Sequence, residues 1–158
     1  GVGAGLFAPN SETTRAQLVT ILYRLEGQPA VSGDLPFTDV EAGTWYTNAV
    51  VWAAQNGIVN GVSDTEFAPG DDITREQLAT MLYSYAKLKG VDTTQGGMAV
   101  REFADYDSIS SWAGQSMTWA VNAGILSGRG NNTLAPTAGA TRAEMAVMLQ
   151  QFVGLMEK

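Results

Sequence analysis

The stretch DDITREQLATML (residues 71–82) decides the fold of this chain, because it predicts where a helix begins and which face of it is buried. Thr74 and Gln77 have the spacing of a capping box, in which the threonine hydroxyl accepts the backbone N–H of the third helical residue and that residue's side chain reaches back to the cap. Leu78 and Leu82 follow at helical spacing. We therefore predict an amphipathic helix that starts after Thr74.

The same arrangement occurs three times along the chain. TTRAQLVTIL begins at Thr13, and ATRAEMAVML begins at Ala140. Upstream, FTDVEAGTWYTNAVVWAAQNGIVNG from Phe37 matches FADYDSISSWAGQSMTWAVNAGILSG from Phe103. Three sets of residues keep the repeat spacing: Arg15, Arg75 and Arg142; Pro9, Pro69 and Pro136; Phe7, Phe67 and Leu134. Such self-similarity is typical of repeat architectures, in which each unit buries its apolar face against a neighbour.

Two repeats are complete, and a preceding one keeps only its second half. The full repeats span residues 37–90 and 103–158, and the partial repeat spans residues 1–30. Because short helices are marginally stable alone, their apolar stripes must pack together. We predict one all-α domain over residues 1–158, in a pseudo-threefold arrangement around a central three-helix core.

Each full repeat is predicted to consist of a helix, a loop and a second helix. In residues 37–90, the first helix runs from about Thr44 to Asn56. Gly57 and Gly124 follow the first helices of the two full repeats. They are predicted to end those helices as left-handed caps, the conformation that glycine adopts most readily.

The arginine at the first helical position needs an explanation. A helix N-terminus carries about half a positive charge, so acidic residues are the stabilising choice there. One interpretation is a solvated charge that pairs with a neighbouring carboxylate. The other is an anion pocket, in which free N–H groups of the first turn and the guanidinium bind a carboxylate or phosphate together. We favour the anion pocket, because a charge with only a structural role seldom recurs at the same position of every repeat.

The third helical position is glutamine in two of the motifs, Gln17 and Gln77, and glutamate in the other, Glu144. Both types accept the same capping hydrogen bond, whereas a general acid would need the carboxyl group. The exchange therefore indicates a structural position. No acidic pair recurs with the three arginines, so we predict that the chain is not an enzyme and assign no catalytic residue.

Composition excludes several other function classes. The chain has no cysteine and no histidine, which removes thiol nucleophiles, Cys/His zinc sites and histidine-based acid–base catalysis. We predict no metal site and no cofactor. The net charge of −7 and the lack of a basic run argue against nucleic acid as a partner, and no apolar stretch is long enough to insert into a membrane.

These residues resemble the S-layer homology module. FTDV, WYTNAVVWAAQNGIVNG and FAPGDDITREQ follow its pattern, whose hallmark is a motif of the Ile-Thr-Arg-Ala-Glu type, and the resemblance covers nearly the whole chain. In that family, three modules form an all-helical, pseudo-threefold prism that anchors bacterial surface proteins to peptidoglycan-linked secondary cell wall polysaccharide, often with acidic pyruvyl ketals. The resemblance implies a non-catalytic, extracellular anchor. It also implies that the glycan binds in grooves between repeats, near Arg15, Arg75 and Arg142.

Two tryptophans and two aspartates recur in the full repeats. Trp45 and Trp112 stand near the start of the first helices. Core packing is the default for tryptophan, and each is also a candidate sugar-stacking face. Asp39 and Asp105 are most simply turn or cap acceptors, with a binding role left open.

The segment after each first helix supplies further candidate glycan contacts. Asn60 and Gly61 follow one helix, and Ser127 and Gly128 follow the other. Glycine lets the backbone approach a ligand closely, although a plain turn explains these residues too.

Two expectations about partners complete the prediction. The alternative function is a protein-interaction module that takes acidic peptide segments in the same grooves. The first repeat lacks its first helix, so a stripe of apolar residues loses part of its cover and we expect self-association or domain swapping. That stripe consists of Leu18, Ile21, Leu22 and Leu25.

Overall fold

Helices supply the regular structure of the chain. The computed structural model describes residues 13–31, 37–41, 43–59, 66–94, 97–129 and 132–156. Within those ranges there are five α-helices, three short 3-10 helices and no β-strand. The α-helices are α1 (Arg15–Leu25), α2 (Thr47–Gln55), α3 (Arg75–Leu88), α4 (Gly114–Asn122) and α5 (Arg142–Met156). The 3-10 helices are Ala99–Glu102, Tyr106–Ser108 and Ser111–Ala113. The predicted all-α class is confirmed, and the pseudo-threefold arrangement stays a prediction.

Capping boxes begin the helices that carry the repeated motif. At α3, the Thr74 hydroxyl accepts the N–H of Gln77 at 3.1 Å, and the Gln77 side-chain oxygen accepts the N–H of Thr74 at 2.9 Å. The same reciprocal pair forms at α1 between Thr14 and Gln17, and at α5 between Thr141 and Glu144. The motif therefore begins a helix in the predicted way all three times.

Helix α2 is shorter than the sequence predicted. Its first residue is Thr47, not Thr44, because the Thr47 hydroxyl accepts the N–H of Thr44 at 2.9 Å and donates to the carbonyl of Glu41 at 2.6 Å. These bonds fix a turn ahead of the helix. At the other end, Gly57 has a φ of 71°, which confirms the predicted left-handed cap.

The first compact unit comprises Thr14–Asp72. In it, α1 packs along α2. Leu18 and Leu22 are fully buried, and the Tyr23 and Trp52 rings lie 5.6 Å apart between centroids. The prediction that this stripe loses its cover is therefore wrong for Leu18 and Leu22, because the first helix of the next repeat supplies it. Self-association of the chain stays a prediction.

The second compact unit comprises Gly1–Thr13 and Ile73–Lys158. Here α3 packs along α4 and also contacts α5. The Tyr85 and Phe152 rings lie 5.8 Å apart between centroids, and Leu78 and Leu82 of α3 are fully buried. In both units, a motif helix packs against the first helix of the following repeat. The repeat boundaries at residues 37–90 and 103–158 stay predictions of the sequence pattern.

Candidate functional site

Arg75 binds three groups of the second unit. Its side chain is buried, with only 2% of the residue exposed. Nε donates to the carbonyl of Leu134 at 2.7 Å, and Nη2 donates to the carbonyl of Ser127 at 2.5 Å. Nη1 donates to Glu144 Oε2 at 2.7 Å. Burial lowers the pKa of Arg75, and the nearby charge of Glu144 opposes that shift.

Arg15 makes the equivalent loop contact within the first unit. It is buried, its Nε donates to the carbonyl of Phe67 at 2.8 Å, and its guanidinium carbon lies 4.7 Å from the centroid of the Phe67 ring. Burial lowers its pKa, and the charges of Asp71 and Asp39 oppose the shift. A cation over an aromatic face contributes on the order of 1 kcal/mol. Both arginines therefore hold a loop that is distant in sequence.

The first-turn amides of α1 and α3 are not free to bind an anion. In α3, the N–H of Arg75 donates to the carbonyl of Ala138 at 2.9 Å, and the N–H of Glu76 donates to that of Pro136 at 2.9 Å. In α1, the N–H of Arg15 donates to the carbonyl of Asp71 at 3.0 Å. The predicted cradle of exposed amides is wrong for these two helices, because loop carbonyls already occupy the donors.

Paired aspartates clamp the same loops. Both carboxylate oxygens of Asp39 accept backbone N–H groups at 2.8 Å, from Phe67 and from Ala68. Asp105 holds Leu134 and Ala135 in the same way, also at 2.8 Å. The simpler prediction for these aspartates, that they are turn acceptors, is confirmed. Both oxygens of each carboxylate therefore bind the backbone of a loop.

The third motif differs from the first two. Arg142 begins α5, and its Nε is buried without a hydrogen-bond partner among the residues that the structure describes. Phe7, which stands where Phe67 stands in the other repeat, lies outside those residues, as do the predicted site residues Asn60 and Gly61.

A cavity of about 290 Å³ in the second unit brings three of the predicted site residues together. These are Arg75, Ser127 and Gly128. Its apolar wall includes Val147 on α5, which is 52% exposed. The other lining residues are Ile125, Leu126, Arg129, Ala143, Glu144 and Met148. The cavity thus combines polar groups from the loop after α4 with an apolar face of α5.

Arg129 is the site residue that sequence comparison missed. Its Nε donates to Glu144 Oε2 at 2.6 Å, and its Nη2 donates to Glu144 Oε1 at 2.7 Å and to the carbonyl of Gly139 at 2.7 Å. Its side chain is 32% exposed. Val62 stands at the equivalent position of the other full repeat, so a search for recurring residues passes over it.

Glu144 stays ionised in this cavity. Hydrogen bonds from Arg129 lower its pKa to about 2, against the opposing effect of burial, and the charge of Arg75 contributes to the lowering. Two guanidinium groups and one carboxylate therefore give the cavity a net charge of +1. That sign suits an anionic ligand, although the chain as a whole is acidic.

The two candidate tryptophans are exposed, whereas the candidate Gly128 is packed against other parts of its unit. Trp45 is 64% exposed and Trp112 is 57% exposed, so neither is a core residue. Trp112 is not among the residues that line the cavity. A Cβ at Gly128 would lie 2.7 Å from the Phe103 ring and 2.9 Å from the carbonyl oxygen of Thr133. Packing inside the unit is therefore sufficient to require glycine at this position.

Comparisons with known proteins bear on the whole chain. The S-layer homology domain matches residues 36–79 and 102–146, which is more than half of the chain. The Surface-layer 125 kDa protein of Lysinibacillus sphaericus is 35% identical over 97% of this chain, and the amylopullulanase of Thermoanaerobacterium thermosulfurigenes is 35% identical over 96% of it. The Cellulosome-anchoring protein of Acetivibrio thermocellus is 26% identical over 96% of it.

The chain spans only part of those relatives, 13%, 8% and 34% of their respective lengths. Surface-layer and cellulosome-anchoring proteins among them confirm the predicted setting at the bacterial cell surface. In the described part of the chain, no helix has the length and apolar character needed to cross a bilayer. The family match covers most of each complete repeat and more than half of the chain, so the chain belongs to the S-layer homology domain family.

Proposed function

We propose that the chain is a non-catalytic anchoring module that binds acidic, pyruvylated secondary cell wall polysaccharide on the outside of a bacterium. The observation that carries the proposal is the cavity at Arg75, Ser127 and Gly128, with its net positive charge. Relatives named as surface-layer and cellulosome-anchoring proteins support the anchoring role.

The chemistry of the cavity fits a substituent that is both acidic and apolar. Arg129 offers a partly exposed guanidinium at one wall, and Val147 and Met148 offer apolar surface at another. A pyruvyl ketal carries a carboxylate and a methyl group on one carbon, so it presents both features together. Ligand sites commonly measure about 300–1,000 Å³, so a cavity at the lower end suits a single substituted sugar.

Additional contacts of modest strength would add to retention on a polymer. The exposed faces of Trp45 and Trp112 are proposed to stack on sugar rings. We propose that equivalent grooves at the other repeats include Arg15, Arg142, Asn60 and Gly61, as the family resemblance implies. Asn60 and Gly61 lie outside the described part of the chain. Several weak sites that bind one polysaccharide molecule together raise avidity by orders of magnitude without any new contact.

The experiment is a pull-down with native wall sacculi, before and after chemical removal of acidic ketals. The informative variant is Val147→Glu, which places a negative charge at the exposed wall of the cavity without changing the core. We expect retention to fall at least about tenfold, the effect of about 1.4 kcal/mol. Met98→Glu adds the same charge at another exposed apolar residue outside the cavity lining, and should bind like wild type.

Two results would contradict the proposal. One is undiminished retention of Val147→Glu, and the other is equal retention on sacculi with and without ketals. If poly-glutamate binds to the chain while wall glycan does not, the alternative function as an acidic-peptide module is favoured. Release of reducing sugar from sacculi by the purified chain would contradict a non-catalytic role.

A further inference from the structure

We propose that Glu144 is a built-in competitor for the acidic ligand of this cavity, and that Arg129 is the guanidinium that Glu144 and the ligand share. This inference rests on the proposed function, since it concerns the same cavity. It assigns a specificity-determining role to a residue that the sequence pattern marks as a helix cap.

Glu144 occupies the positions that a ligand carboxylate would seek. Its Oε2 lies 2.7 Å from Arg75 Nη1 and 2.6 Å from Arg129 Nε. Its Oε1 accepts from Arg129 Nη2 at 2.7 Å and from the N–H of Thr141 at 3.0 Å. Bidentate bonds between a guanidinium and a carboxylate are among the strongest polar contacts in proteins. An entering anion must therefore replace Glu144 on at least one guanidinium or share it.

Of the two arginines, Arg129 is the more exposed, although its Nη2 also donates to the carbonyl of Gly139 at 2.7 Å. Arg75 is buried and donates to carbonyls of Leu134 and Ser127 as well as to Glu144, so a movement would break loop contacts. Arg129 is about a third exposed and borders the cavity. A ligand carboxylate would compete with Glu144 for this fork, while the cap bond from the N–H of Thr141 to Glu144 Oε1 stays in place.

The chain itself contains the control for removing this charge. Gln17 and Gln77 stand at the position of Glu144 in the other two motif helices, and their side-chain oxygens accept the capping N–H at 2.9 Å. Glu144→Gln should therefore keep the cap on Thr141. Its new amide N–H groups would face the donors of Arg75 and Arg129, which leaves those donors available to an anion.

The test is calorimetric titration of the whole chain with isolated wall polysaccharide from a bacterium that displays S-layer homology proteins. We expect Glu144→Gln to bind about three- to tenfold more tightly and Arg129→Gln to bind at least about tenfold more weakly. Glu102→Gln and Arg101→Gln are matched controls, because both residues are exposed and lie outside the cavity lining. Both controls should stay within about twofold of wild type.

The outcomes separate this inference from the proposed function. If wild type does not bind the polysaccharide, the proposed function fails and the inference fails with it. If wild type binds while Glu144→Gln binds equally or more weakly, the competitor role is overturned and the anchor stands. An NMR titration of wild type supplies a measurement that needs no variant, since the Nε–H resonance of Arg129 should shift with ligand. An unchanged resonance at saturation would exclude Arg129 as the shared group.

Discussion

Asp39 and Asp105 show what one repeated carboxylate does for a loop. Each accepts two backbone N–H groups beside an alanine in the left-handed region, Ala68 with a φ of 60° and Ala135 with a φ of 50°. That conformation costs a non-glycine residue on the order of 1 kcal/mol. Two charge-assisted hydrogen bonds outweigh this cost. Without the aspartate, the loop would lose the geometry that presents its carbonyls to the motif helix.

We predict that Asp105→Asn destabilises the chain by roughly 1–3 kcal/mol, because an amide group can accept one of the two N–H groups but opposes the other. Urea unfolding followed by circular dichroism measures the change. Asp107→Asn is the control, since Asp107 is exposed in the next helical turn, and it should lie within about 0.5 kcal/mol of wild type. Equal stability of all three proteins would contradict the clamp.

Glu144 should also make stability depend on acid pH. Its pKa is lowered from 4.5 to about 2, first through hydrogen bonds from Arg129. A carboxylate with a depressed pKa in the folded state stabilises the fold above its unfolded pKa, and this contribution is lost as the pH falls through the folded pKa. Glutamine does not titrate. The stability difference between wild type and Glu144→Gln should therefore shrink as the pH falls from about 5 to about 2. Unfolding free energies of both proteins, measured across that range, test this.

Sequence reasoning at this scale succeeded where the partner is local. The cap at Thr74 and Gln77 was predictable, since both groups lie within one helical turn. The role of the arginine was not, because Arg15 and Arg75 bind carbonyls of Phe67 and Leu134, far along the chain. A pattern of spacing identifies a repeated charge, and it does not reveal whether the acceptor is a ligand or the protein's own backbone.

At the scale of elements, an amphipathic stripe predicts burial without naming its partner. The repeat pattern predicted that each unit buries its apolar face against a neighbouring repeat, without saying which helices pair. The structure pairs α1 with α2 and α3 with α4, so these two motif helices each pack with the helix that follows in the next repeat. The connections from Gly27 and from Gly90 therefore join packed neighbours. Helix boundaries were predicted within three residues, because capping groups and glycine act locally.

The pairing of α1 with α2 makes a prediction about one helix face. Leu22 is fully buried, whereas Leu25 on the same helix is exposed. We expect Leu22→Ala to lower the free energy of unfolding by about 2–5 kcal/mol, the usual effect of a large cavity in a core. Leu25→Ala should change it by about 0.5 kcal/mol or less. Comparable losses for both variants in urea unfolding would contradict the packing of this helix.

At the scale of the whole molecule, the net charge of the chain and the net charge of the candidate cavity have opposite signs. The chain has a net charge of −7, yet the candidate cavity has a net charge of +1 from Arg75, Arg129 and Glu144. Exposed charges are screened beyond about 8–10 Å at physiological salt, whereas contacts inside a cavity are screened much less. The all-α class and the family could be predicted from sequence, because they rest on many positions together. The charge of the cavity could not, because Arg129 belongs to one repeat alone.

The local origin of the attraction predicts a shallow dependence on salt. Retention on sacculi should fall by less than about threefold as salt rises from about 50 to about 150 mM. Val147→Glu should bind weakly at both concentrations. A steep loss of wild-type retention over this range would instead indicate a diffuse electrostatic attraction, and the cavity would no longer account for binding.

The interchange of Gln and Glu at the helix cap has a consequence for how such modules diversify. A single-base change in the gene converts one into the other, and the helix start formed at Gln17 and Gln77 is the same as the one formed at Glu144. Duplicated modules can therefore drift apart in ligand preference while their architecture is inherited unchanged. Under the proposed function, a change in one codon would alter how tightly such a module binds its glycan without altering its fold.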